Sequence, residues 1–126
     1  MRFMMFMYPG TKDEAAWEPT PEAVAAMMKY NEDLTKAGVL LALDGLHPAS
    51  KGARVRFPDG NPTVTDGPFT EAKELVGGYW MIQVKSKDEA VAWARRCPAQ
   101  DGDVIEVRQV QEMEDFPPDV RKAAGQ

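Results

Sequence analysis

Cysteine occurs once in this sequence, at Cys97, and histidine once, at His47. A single cysteine excludes an intrachain disulfide and suits a reducing compartment. One Cys and one His cannot furnish a zinc site of the usual thiolate and imidazole types, and no EF-hand spacing of acidic residues is present, so no metal is expected. Serine is nearly as scarce: Ser50 and Ser86 are the only two, which gives little support to a serine nucleophile. No basic run occurs, and 15 Lys and Arg against 20 Asp and Glu leave a net charge of −5. Affinity for a phosphate backbone comes from cations, so no nucleic-acid partner is expected. Long apolar runs are also missing. The stretch from residue 3 to residue 8 is short, stops at Pro9-Gly10 and lacks a small-residue cleavage site, so it reads as a strand rather than a signal peptide. The expected compartment is the cytoplasm, with no membrane partner. At 126 residues there is room for one core and none for a TIM barrel of about 250 residues.

What is present alternates between strands and helices. Residues 2–8 are apolar at nearly every position, as in a strand buried on both faces. Thr20-Pro21 reads as an N-cap followed by a first helical residue, and Val24, Met27, Met28, Leu34 and Ala37 recur at helical spacing up to a stop at Gly38. A second strand over 39–46 ends before Pro48. Residues 53–65 read as a hairpin turning at Pro58-Asp59-Gly60-Asn61. The break at Asp66-Gly67-Pro68-Phe69 is followed by a possible helical turn over 70–75 and a strand over 79–85. Ser86-Lys87-Asp88-Glu89 matches a capping box, opening a helix with Ala90, Trp93, Ala94 and Cys97 on one face. The last strand spans 103–110, and residues 112–126 read as an acidic C-terminal arm appended to a domain of residues 1–111.

With the hairpin set aside, the order is βαββαβ, the ferredoxin-like α+β arrangement. Both helices then cover one sheet face. The other face stays apolar and uncovered, which predicts a homodimer.

Candidate chemistry is sparse. His47 is the only side chain whose ordinary pKa lies near neutrality; it is a solvated loop residue on the plain reading and a general acid/base on the functional one. Asp44 lies three positions earlier and points to the opposite side of an extended strand. Asp66 is expected as a turn former, or else as the group that holds the His47 imidazole in one tautomer. Arg54 and Arg56 share a strand face and could clamp a carboxylate, or simply be solvated. Phe69 reads as a core plug and Lys73 as part of a charged cluster with Glu71 and Glu74. Cys97 is expected to be packed and inert.

The run Val64-Thr65-Asp66-Gly67-Pro68-Phe69-Thr70-Glu71-Ala72-Lys73-Glu74-Leu75-Val76-Gly77-Gly78-Tyr79 strongly resembles the motif of the YCII-related, or DGPF-domain, proteins. The similarity extends to the first strand, to Gly45-Leu46-His47-Pro48, to the helix over 89–98 and to Glu106-Val107-Arg108. It implies a ferredoxin-like fold with an inserted hairpin that pairs as a dimeric α+β barrel. It also implies a histidine and an aspartate beside a pocket near the dimer interface, here His47 and Asp66. The resulting expectation is a small dimeric enzyme using these two as a metal-free and cofactor-free acid/base pair on a small molecule, by proton abstraction or elimination. Arg54, Phe69, Lys73 and Tyr79 make up the candidate substrate-binding set. The competing reading is a non-catalytic ligand-binding or regulatory module, since some relatives are linked with extracytoplasmic-function sigma factors.

Overall fold

Strand β1, Arg2–Tyr8, lies inside a four-stranded sheet in a computed structural model that describes residues 1–11, 13–69 and 74–125. Helix α1, Pro21–Lys36, follows, then β2, Leu40–Gly45. The short strands β3, Ala53–Arg56, and β4, Thr63–Asp66, form a separate hairpin. Strand β5, Gly78–Gln83, leads into α2, Lys87–Arg95, and β6, Val104–Gln109, completes the main sheet. The strand order is β2-β5-β1-β6 with every neighbour antiparallel, an α+β topology compatible with a ferredoxin-like fold. Most of the helical turn expected over 70–75, and the Lys73 side chain with it, lie outside the described residues.

The period of two in β1 decides what is buried. Phe3 and Met5 face the helices, and across the sheet Met5 stands opposite Trp80 on one side and Val107 on the other. Phe3, Met5, Trp80 and Ile82 pack with Tyr30 and Leu34 of α1 and Ala90 of α2, so both helices cover the same face. The polar tips of the aromatics are satisfied in place. The Tyr30 hydroxyl donates to the Trp93 carbonyl at 2.7 Å and the Trp80 indole N–H donates to Asn31 Oδ1 at 2.9 Å. Tyr30 and Trp80 meet edge to face, with centroids 5.8 Å apart.

Local signals place the helix ends. Thr20 Oγ1 accepts from the Ala23 N–H and Ser86 Oγ from the Glu89 N–H, each at 3.1 Å. The box at Ser86 is not reciprocal, because the Glu89 carboxylate accepts from the Lys85 N–H at 2.9 Å instead of from the cap residue's own N–H. Gly38, at φ +74, ends α1 in the left-handed region, where a Cβ would be strained.

The apolar stripe of α1 is narrower than its spacing suggests. Tyr30 and Leu34 are buried and Met27 is half-buried, whereas Val24, Met28 and Ala37 are exposed. Each residue turns the helix by about 100°, which carries Val24 and Met28 off the face centred on Leu34. Residues 112–126 also contain regular structure, with a helical turn at Met113–Asp115 and a short helix α3 at Pro118–Ala123. The Arg2 guanidinium grips the Glu112 carboxylate through two bonds of 2.6 and 3.0 Å, tying the start of this segment to β1. Those bonds hold the Glu112 carboxyl below its usual range.

Candidate functional site

A groove of about 1170 Å³ opens where the loop after β1, the first half of α1, the end of β2 and the loop before β6 come together. Hydrogen bonds between distant parts of the chain hold its walls. Asp103 accepts from the backbone N–H groups of Gly10 and Gln100, both at 2.9 Å, fixing the exit of β1 against the loop that precedes β6. The Glu14 carboxylate accepts from the Ser50 N–H at 2.9 Å and from Ser50 Oγ at 2.6 Å, joining the helical turn Glu14–Trp17 to the turn Ala49–Lys51. The Trp17 indole N–H donates to the Thr11 carbonyl at 2.7 Å. At the base, the Leu46 N–H donates to Gly77 and the Gly77 N–H to Met7, which keeps the ends of β2 and β1 together.

His47 lines this groove, two residues after the end of β2 and just before Pro48. It is exposed, and apolar side chains of α1 and β1 share the lining with it. A proton-carrying imidazole at the edge of a largely apolar concavity can bind a small organic molecule and exchange a proton with it.

The other candidates lie elsewhere. Asp66 ends β4, is exposed and does not line the groove; among the described residues no hydrogen bond or ion pair joins it to His47. Its neighbour Gly67 donates to the Gly52 carbonyl at 2.9 Å and packs against Ala49, which brings the Asp66-Gly67 turn against the segment that follows His47. Phe69 is buried at 7% exposure but outside the main core cluster, with the Arg54 guanidinium 4.2 Å from its ring centroid. Tyr79 sits on the sheet face turned away from the helices, where its hydroxyl donates to Asp44 Oδ2 at 2.8 Å. That hydrogen bond to the carboxylate raises the Tyr79 pKa. Arg54 is therefore brought to Phe69 and Tyr79 to Asp44, while His47 alone among the five described candidates lines the groove. Cys97 is half-buried, and burial pushes its thiol up to about 11, far from a reactive thiolate. Among the described residues no group of three or more His, Cys, Asp or Glu is placed to hold a metal ion. No helix among them is long and apolar enough to cross a membrane.

The model of the YCII-related domain matches residues 1–114. This chain belongs to the YCII-related family. It is also similar to an uncharacterised protein of Rhizobium meliloti (strain 1021), 30% identical over 97 residues that make up 75% of this chain and 78% of the relative. The matched span of this YCII-related chain takes in every strand and both long helices, together with every wall of the groove.

Several groove residues escaped the reading of the sequence. Val24 and Met28 recur at the helical spacing of the core stripe, Leu46 stands out only as a neighbour of His47, and no sequence pattern singles out Trp17. Only their offset from the Met27, Tyr30, Leu34 stripe marks Val24 and Met28 as separate, and that offset needs the helix face to be known first.

Proposed function

We propose that this YCII-related protein binds a small organic molecule in the His47 groove and acts on it by metal-free general acid/base chemistry, with His47 as the proton carrier. The single observation behind this reading is that the only histidine of the chain lines the groove. Asp66 enters as the residue that biases the imidazole from the neighbouring turn, which Gly67 packs against Ala49. Proton abstraction or elimination suits this equipment, whereas acyl transfer would want a nucleophile.

A thermal-shift screen of cell metabolites supplies the ligand, because a molecule that prefers the native state must raise the melting temperature. With a turned-over ligand in hand, His47→Ala is expected to lower turnover by about 10²–10⁴-fold while keeping the ligand-induced thermal shift. Full turnover in that variant removes His47 from the mechanism. Asp66→Asn, in the same assay, is expected to slow turnover without changing the shift.

The proposed working unit is a homodimer. On the sheet face turned away from the helices Met4, Phe6 and Met81 are half-buried, and on the hairpin Val55 and Val64 stand opposite each other at 52% and 68% exposure. Pairing about a two-fold axis would cover such faces with identical ones, as in a dimeric α+β barrel. Light scattering on a sizing column is expected to give twice the 14.0 kDa chain mass at micromolar concentration. Replacing Phe6 by Asp is expected to return the particle to one chain. A wild-type particle of single-chain mass refutes the pairing.

A further inference from the structure

We infer that the groove selects a small organic cation, an amine with an apolar body, over neutral and anionic molecules of the same shape; this rests on the reading of the groove as a small-molecule site. Much of its lining is apolar. Met7, Val24, Met27, Met28 and Leu46 all line it, and Val24, Met28 and Leu46 are exposed at 45%, 63% and 50%. These side chains offer surface for a hydrocarbon body, and the volume of about 1170 Å³ suits a ligand of ordinary metabolite size.

The charge on the walls sets the sign of what enters. Among the described residues, four carboxylates, those of Glu14, Glu18, Asp101 and Asp103, line the groove with one ammonium, that of Lys51. Four carboxylates and one ammonium leave an excess of three negative charges on the described Asp, Glu and Lys side chains of the lining. Among the described residues the partners of Glu14 and Asp103 are neutral donors, Ser50 and backbone N–H groups, and no cation is paired with either carboxylate. Glu18 and Asp101 are exposed and, among the described residues, make no hydrogen bond or ion pair. A third contribution comes from Trp17, whose indole is anchored to the Thr11 carbonyl while the side chain lines the same groove. The face of an indole attracts a cation, most of all a weakly hydrated organic one. Apolar surface, excess carboxylate and an anchored indole together match an ammonium on a hydrocarbon frame. A second copy of this chain would bring a further −5 charge to the groove and is the poorer occupant.

Three probes with one aromatic body and different charge test the assignment: phenethylammonium, 2-phenylethanol and phenylacetate, titrated against the full chain at low salt while tryptophan fluorescence is followed. Phenethylammonium is expected to bind about tenfold more tightly than either of the others, with the preference shrinking as salt screens the carboxylates. The fluorescence response is expected to vanish in Trp17→Phe. In the Glu18→Gln/Asp101→Asn double variant the cation is expected to lose most of its advantage, and 2-phenylethanol to bind as before.

Phenylacetate binding as tightly as phenethylammonium, or a preference untouched by the double variant, overturns the cation assignment and leaves the groove a small-molecule site. A tetralysine peptide binding at least as tightly as phenethylammonium overturns it as well, by showing that charge is read without an apolar body. Failure of all three probes at about 10 mM overturns both readings, since even a weak fragment site responds there. Trp17 fluorescence that changes with protein concentration alone, and ignores all three probes, hands the groove to a second copy and also overturns the proposal.

Discussion

Truncating Phe3 to alanine is expected to cost about 3–5 kcal/mol of unfolding free energy, the largest loss from any single core residue considered for this fold. Phe3 is 1% exposed and lies on β1, between Ile82 of β5 and Gln109 of β6, beneath both helices. Removing the ring would leave a cavity in the layer that joins sheet to helices, where Leu34, Met5 and Ile82 are fully buried and have little freedom to collapse inward. A small domain has only about 5–15 kcal/mol in total, so the variant would stand near the edge of folding. Urea unfolding monitored by far-UV circular dichroism gives the answer directly. Phe6 of the same strand provides the control, because it points to the open face and is half-buried in the single chain. A loss of under about 1 kcal/mol for Phe3→Ala, or an equal loss for both variants measured as monomers, would contradict the assignment of the two faces.

The second large effect is expected at Gly67. A Cβ built there would stand 1.7 Å from the Ala49 carbonyl oxygen and 2.6 Å from its carbon, with Ser50 Cα at 3.2 Å. All three are main-chain atoms, so no side chain can swing aside. Gly67→Ala must push the Asp66-Gly67 turn away from the segment 49–52, at a cost of about 3 kcal/mol, the upper end for inserting a methyl group into a packed position. The bond from the Gly67 N–H to the Gly52 carbonyl would be lost in the same movement, and with it the register that the hairpin keeps toward the His47 loop. Hydrogen exchange should therefore accelerate locally, at residues 52–67, more than in β1 or β5. Unchanged exchange in that stretch, with stability within about 0.5 kcal/mol of wild type, would show that the two loops can part freely.

The elements were legible where their causes are local. Thr20-Pro21, Gly38 and Ser86 mark helix ends through bonds made within a few residues, and each works as its residue type suggests. The hairpin register, with Val55 opposite Val64, follows from alternation around a Pro-Asp-Gly turn. The strand order of the main sheet was accessible because βαββαβ leaves few ways to cover one face with two helices. The groove was not legible in the same way. Its walls depend on Glu14 meeting Ser50 and on Asp103 meeting Gly10, contacts across 36 and 93 positions that no local pattern announces. Nor could spacing alone say that Val24 and Met28 turn outward, since both satisfy a helical repeat. His47 was found by its chemistry and not by its surroundings; being the only histidine singles it out before any fold is known.

The position of β1 in the sheet bears on how the protein is made. The first strand of the chain pairs with β5 and β6, so Met5 meets Trp80 and Val107, its partners there. During synthesis at roughly 5–20 residues per second, an apolar segment with both edges open waits on the order of 5–20 seconds for the last of them. Productive folding of this sheet therefore cannot finish before β6 has been translated, and β1 is the segment that most needs shielding from other unpaired strands in the meantime.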